Sequence, residues 1–175
     1  MRKLLLFLLI PSIVLSSYKV SHSNTEKVKW IRFDELTDRQ KEFKKPIIVD
    51  LYTDWCHWCK VMDKETYGNE KVANYINDNF IPVTFNAEGR DPVSFRNKTY
   101  SFNNEYKVNM LAVALTNGQL SFPTTIIIPD ENTQPIPIAG FLKPRELELI
   151  IKYFGSGSYK LKSFPDFQKG FHASW

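Results

Sequence analysis

The sequence predicts an α/β sandwich, on three observations. Two β-branched runs, residues 47–52 (IIVDLY) and 124–128 (TTIII), read as strands buried on both faces, as in a sheet with helices on each side. Segments of helical periodicity alternate with strands through the first half. Strand 124–128 is followed by a shorter edge strand at 136–139, which adds an antiparallel hairpin. A length of 175 residues suits one domain, and 43% hydrophobic with 24% charged residues excludes a disordered or fibrous chain.

The elements follow in order. Arg2 and Lys3 precede an apolar run at 4–15 and small residues at Ser16 and Ser17, the layout of a signal peptide over residues 1–17. Cleavage is expected after Ser16, Ser17 or Ser23. The run is well below the roughly 20 residues of a spanning helix, so membrane attachment through residues 4–15 is expected only if the segment stays uncleaved. Export places the mature protein in a periplasmic or extracellular space, where disulfides persist. Removing residues 1–17 takes Arg2, Lys3 and no acid, lowering the formal charge from +4 to +2. So weak a charge gives no warrant for a nucleic-acid partner.

Residues 18–27 read as a polar linker and 28–31 as a short strand, after which Asp34 is placed to cap a helix carrying Leu36 and Phe43 inward. Strand 47–52 leads into the cysteines, and a helical stretch runs to about Tyr67 and Gly68. Asn69 caps the next helix, with Val72, Tyr75 and Ile76 at helical spacing. Residues 80–85 form a candidate strand that Pro82 weakens, since proline cannot donate to a ladder. Residues 95–100 read as a hairpin turning at Asn97-Lys98. The segment 104–116 reads as a helix with Val108, Leu111, Ala112 and Leu115 on one face, stopped by Asn117-Gly118. Pro144 opens a final helix carrying Leu147, Ile150, Ile151 and Phe154, stopped by Gly155. A C-terminal extension at 156–175, with Phe164, Phe167, Phe171 and Trp175, is expected to pack back on the domain at 28–155.

The chemistry centres on Asp54-Trp55-Cys56-His57-Trp58-Cys59-Lys60, which holds both cysteines of the chain. With a helix starting near Cys56, the two α-carbons fall roughly 5 Å apart, inside the disulfide window. Cys56 at the helix start meets unpaired amides and the positive end of the dipole, which stabilise a thiolate. Cys59, one turn in, is expected to be more buried and less acidic, so Cys56 attacks and Cys59 resolves. A protonated His57 beside the thiolate would favour the reduced form; the plainer reading is an exposed helix-start residue. Trp58 either shields the couple or offers a docking face, and Lys60 reads as a solvated helix residue. A closed zinc site wants four ligands, and the remaining histidines, His22 and His172, lie far off in sequence. A staple closing so short a loop removes little unfolded-state entropy.

Residues 47–60 resemble the central strand and active-site turn of the thioredoxin superfamily, with an acid in mid-strand and Trp before the first cysteine. Phe122-Pro123-Thr124-Thr125 is similar to the family's cis-proline loop. The nearest likeness is to secreted bacterial thioredoxin-like proteins bearing Trp-Cys-X-Trp-Cys-Lys. The resemblance implies a three-layer thioredoxin-like sandwich with a central mixed sheet, and dithiol–disulfide exchange on other proteins. It implies Cys56 as nucleophile, Cys59 as resolving thiol, and Trp55, Trp58, Phe122, Pro123 and Thr124 as the substrate-binding surface. Asp50 matches the family's buried carboxylate, where burial raises its pKa and lets it take a proton from Cys59; an acid satisfied by backbone amides is the alternative. His57 joins the catalytic set. No cofactor beyond a Cys56–Cys59 redox disulfide is implied. The partners are protein thiols or disulfides and a redox donor or acceptor protein.

Two departures stand out. His57-Trp58 replaces the Gly-Pro of reducing thioredoxins, so the direction of electron flow does not carry over. An insertion at about 87–120 exceeds the family plan, and Arg90, Arg96, Tyr100 and Phe102 are candidates for a binding surface on it. The alternative function is a thioredoxin-fold scaffold whose insertion and aromatic tail bind a partner.

Overall fold

The computed structural model describes residues 27–36 and 45–175. The expected signal peptide at 1–17, its cleavage sites and Phe43 lie outside the described residues. Among the described residues, no helix is long and apolar enough to cross a membrane.

A five-stranded sheet forms the middle layer. Strands β1 (Ile31–Arg32), β3 (Ile81–Asn86) and β2 (Ile47–Tyr52) run parallel, and β8 (Thr124–Ile128) and β9 (Ile136–Ala139) continue antiparallel. The apolar runs land in the centre because β2 and β8 are buried on both faces, where side chains alternate between two helical layers. One face packs against α1 (Phe33–Leu36) and α4 (Met110–Leu115), through Phe33, Leu36, Leu111, Ala112 and Leu115. The other packs against α2 (His57–Met62), α3 (Glu70–Asn79) and α5 (Pro144–Gly155), through Met62, Val72, Ile76, Leu147 and Ile151. The result is a mixed sheet between helices, the three-layer thioredoxin arrangement.

Several elements begin elsewhere than the periodicity predicts. Residues 27–29 do not pair as a strand, because Asn77 of α3 takes their backbone groups: Lys29 N donates to Oδ1 at 2.8 Å, and Nδ2 donates to the Lys27 carbonyl at 3.0 Å. Asp34 does not cap; it lies in the first turn of α1 and pairs with Arg32 at 2.7 Å. Pro82 is tolerated inside β3 because the two-residue β1 pairs only with Val83 and Thr84, leaving that side of Pro82 without a ladder. α2 continues into a π segment, Asp63–Tyr67, closed by a bond from Gly68 N to the Asp63 carbonyl at 2.8 Å.

The insertion carries two small hairpins. In the first, β4 (Val93–Phe95) and β5 (Lys98–Tyr100) turn at Arg96-Asn97, one residue earlier than expected, with φ of 51° and 62°. Both central residues are left-handed, which matches the twist of a two-residue hairpin. In the second, β6 (Phe102–Asn103) and β7 (Val108–Asn109) replace the first half of the expected helix 104–116. Asn103 Oδ1 accepts the amides of Glu105 and Tyr106, and Asn109 Oδ1 accepts that of Leu111, so two side chains hold a turn and a cap instead of a helix. Val108 is still buried, but from a strand.

Beyond α5, a 3₁₀ turn at Ser158–Lys160 leads to α6 (Phe164–Lys169). Phe164, Phe167 and Trp175 pack against the α2/α3/α5 core. Residues 174–175 are held by Glu148, whose side chain is fully buried (0% exposed). It accepts from Ser174 N, Ser174 Oγ, Trp175 N and Lys152 Nζ at 2.6–3.1 Å.

Candidate active site

β2 ends at Tyr52, and the Cys56 amide donates to the Thr53 carbonyl at 3.1 Å, turning the chain directly into α2. Cys56 is the N-cap, with extended backbone (φ −70°, ψ 104°), and its Sγ accepts the Cys59 amide at 3.0 Å. A sulfur at this position takes the bond that a Ser or Asp oxygen takes in ordinary caps. That amide, with the dipole behind it, favours a thiolate over a thiol. Cys56 and Cys59 form a disulfide, with α-carbons 5.3 Å apart. Cys59 is not the more buried of the two, since Cys56 is 4% and Cys59 7% exposed. The Cys56 sulfur turns inward over the helix to reach the Cys59 amide, and the bond between the sulfurs holds them side by side.

Aromatic side chains ring this pair. Trp55 is 65% and Trp58 56% exposed. Trp55 meets the ring of Phe122 edge-on at 5.9 Å, and its indole N–H donates to Glu88 at 3.0 Å. Trp58 packs on Phe141 at 5.6 Å and on His57 at 5.8 Å, with His57 itself exposed. The Phe122-Pro123 bond is cis. Pro123 is buried, and its carbonyl accepts the Gly140 amide at 2.8 Å. Thr124 is buried and donates to the Ser121 carbonyl at 2.8 Å. Because Thr124 pairs with Leu51, the proline loop reaches the sheet end where the cysteine turn leaves β2.

Asp50 shares a face of β2 with Ile48, which packs with Met62 in the layer that α2 covers. Burial first, and the charge of Asp63 second, push its carboxyl up to about 7. The nine residues expected to form the site therefore gather at one end of the sheet. Arg96 and Tyr100 of the insertion do not join them: Arg96 donates to the carbonyls of Asp130 and Thr133, and Tyr100 packs on the α1/α4 core. Arg90 lies over the Phe102 ring, 4.6 Å from its centre. Three neighbours escaped the sequence reading, Glu88, Phe141 and Tyr67, and a fourth, Thr125, stood in the proline motif but was given no role. A signal existed for Thr125, the second hydroxyl in a strand otherwise of isoleucine; Tyr67, Glu88 and Phe141 reach the site through contacts that span 33 to 83 residues of chain. A cleft of about 880 Å³, lined by Lys45, Arg96 and Lys160 among others, opens at the opposite sheet end and takes no part in this arrangement.

Comparison with known proteins agrees with this fold. The chain is 30% identical over 114 residues to the uncharacterised protein B0495.5 of Caenorhabditis elegans, covering 65% of this chain and 14% of that protein. It is 37% identical over 59 residues to the thiol:disulfide interchange protein DsbD of Escherichia coli, covering 33% of this chain and 10% of that protein. The chain thus spans a small fraction of either relative. Among solved structures, a thioredoxin-fold protein from Helicobacter pylori superposes with a TM-score of 0.53 at 16% identity, covering 71% of this chain and 78% of that one. The family model Thioredox_DsbH, described as a protein of unknown function, DUF255, matches residues 14–153. With that match spanning most of its length and a thioredoxin fold presenting a Cys56-X-X-Cys59 disulfide, this chain belongs to the Thioredox_DsbH family.

Proposed function

We propose that the protein is an exported thiol–disulfide oxidoreductase acting on protein substrates. The observation that carries this reading is the Cys56–Cys59 disulfide at a helix start, with an amide aimed at Cys56 Sγ and a rim of exposed aromatic rings around it. A structural disulfide needs neither the amide nor the rim.

Cys56 is the nucleophile of this scheme. Its thiolate attacks a substrate disulfide, forming a mixed disulfide and releasing one substrate thiolate. Asp50 then accepts the Cys59 proton as that thiol becomes a thiolate and attacks Cys56 Sγ. The Cys56–Cys59 bond forms, the second substrate thiolate leaves, and two electrons have passed to the substrate; oxidation of a substrate dithiol runs the same steps backward. His57 adds positive charge beside the Cys56 thiolate when protonated. Trp55, Trp58 and Phe122 contact the substrate backbone and its apolar side chains, and Pro123 and Thr124 shape that substrate-binding surface from beneath. Export rests on the basic and apolar pattern of residues 1–17, and a donor or acceptor protein must reset the couple in that compartment.

The test is reduction followed by alkylation and turnover. Two thiols should appear on reduction, and Cys56 should alkylate at a pH well below the free-thiol value near 8.5. Cys56→Ser should abolish insulin reduction, and Cys59→Ser should trap a mixed disulfide. A Cys56 that titrates as a free thiol, with Cys56→Ser as active as the parent, would end this reading.

A further inference from the structure

The sheet face beneath α2 carries a polar row of which the scheme above uses one member. Thr84 of β3 stands opposite Asp50 on one side and Thr125 of β8 on the other. One step along, Ile48 and its partner Ile127 belong to the apolar cluster that includes Met62 and Tyr67. This is therefore the face that the Cys59 helix covers, and the row crosses it where the apolar packing gives way to the site.

Tyr67, at the end of the π segment, reaches back into this row. Its hydroxyl lies 3.0 Å from Thr125 Oγ1, with both residues buried. Directly opposed residues of an antiparallel pair have β-carbons about 4.5–5.5 Å apart, so Thr125 neighbours Asp50 across the strand pair and Tyr67 through its hydroxyl. A hydroxyl offers one proton and two lone pairs. When Tyr67 donates to Thr125, the Thr125 proton is left to turn toward Asp50. Burial, and then the charge of Asp50, hold the Tyr67 phenol well above its ordinary value, so it remains a donor throughout the working pH range.

We propose that Tyr67 and Thr125 are positioning residues: a two-hydroxyl relay, Tyr67 to Thr125 to Asp50, whose second bond forms as the Asp50 carboxyl ionises, orients and stabilises the carboxylate that exchanges a proton with Cys59. The relay hydroxyls keep their own protons and only redirect hydrogen bonds. Asp50 gains the proton lost by the Cys59 thiol and returns it to the leaving substrate thiolate. The inference rests on the exchange chemistry proposed above. Besides Tyr67, the ionisable groups interacting with Asp50 are Asp63, from the π segment, whose charge raises its pKa, and Tyr52, two residues along β2, whose pKa Asp50 raises in turn. Neither lies in the Tyr67–Thr125 pair.

The test uses Tyr67→Phe and Thr125→Val, each close to isosteric, with Thr125→Ser as the conservative rescue. Pre-reduced protein is mixed with insulin in single turnover between pH 5 and 9. Losing a donor to the carboxylate should move the inflexion due to Asp50 upward by about one pH unit in both variants, making the rate about fivefold lower at pH 7 and unchanged at pH 9. Thr125→Ser should restore the parental profile, and Tyr67→Phe should add nothing in an Asp50→Asn background. An active parent whose inflexion is unmoved in both variants overturns the relay. Loss of insulin reduction in the parent at every pH overturns the exchange reading instead. The relay is then decided without turnover by a carbon-13 titration of the Asp50 carboxyl: a raised midpoint in Tyr67→Phe supports it, and an unmoved one sinks it.

Discussion

Asp50 sets the pH behaviour of the fold as well as of the site. Its folded pKa of about 7 lies above the ordinary 3.8, so between those values the native state binds more protons than the unfolded one. Stability therefore falls as pH rises from about 4 to about 7, and the penalty is constant above that. Asp50→Asn removes the charge and should be more stable than the parent at pH 8, by on the order of 2–4 kcal/mol, yet equal to it at pH 4. Denaturant unfolding at the two pH values checks this, and a gap independent of pH would count against a buried, neutral Asp50. Glu148 has the opposite sign. Burial pulls its carboxyl up, but the bonds from Lys152, Ser174 and Trp175 outweigh burial and hold it below its ordinary 4.5. Its contribution is complete above that value and is lost as pH falls through the lowered one. At this scale much was legible: cysteine spacing, the acid in mid-strand and Pro123 each show locally. The Tyr67–Thr125 contact was not, because it joins residues 58 apart in sequence through a strand register that composition does not reveal.

Elements depend on side chains at their ends more than on their periodicity. The π segment after α2 brings the carbonyl of Lys64 into the space that a β-carbon on Gly68 would occupy, although the backbone there is ordinary αR (φ −74°). Gly68→Ala should therefore destabilise the protein by about 1–3 kcal/mol and loosen the end of the Cys59 helix. Thermal unfolding with hydrogen exchange of the amides at 63–68 would reveal it, and a neutral outcome would mean that the segment relaxes to a regular helix. Strands β2 and β8 and helix α5 could be read in advance because burial on two faces, or on one helical stripe, leaves an unbroken apolar pattern. In the insertion the first hairpin was legible but for a turn one residue off, whereas the second was not, because its course is decided by asparagines. Asn103 and Asn109 hold a turn and a cap that outcompete the helix suggested by Val108, Leu111, Ala112 and Leu115. Asn97 and Arg96 likewise accept left-handed backbone where no glycine marks the turn.

Across the whole molecule, the C-terminal segment is tied to the core by aromatic packing and, at residues 174–175, by one carboxylate. Trp175 packs on Tyr75 at 5.7 Å, under Lys152 at 4.8 Å, while Lys71 donates to the Ser174 carbonyl at 3.0 Å. Glu148→Gln keeps the size but weakens every bond to residues 174–175, and should lower Tm by roughly 5–10 °C at pH 7. Removing residues 163–175 should cost at least as much, with the insulin assay unaffected, since the tail packs on α3 and α5 away from the cysteine turn. The layer order was legible in the alternation of strands and helices, and the return of the tail in its aromatic residues, whereas its anchoring point required knowing that Glu148 faces inward from α5. The sheet also has a property that bears on the company the protein keeps. One margin, β1, is only two residues long, and the other, β9, carries Pro137 in the middle of its pairing with β8. Neither border offers a continuous row of donors for a further strand to add to. Under the function proposed above, a protein substrate would thus meet this chain at its disulfide end and find no open sheet edge to which its own backbone could add a strand.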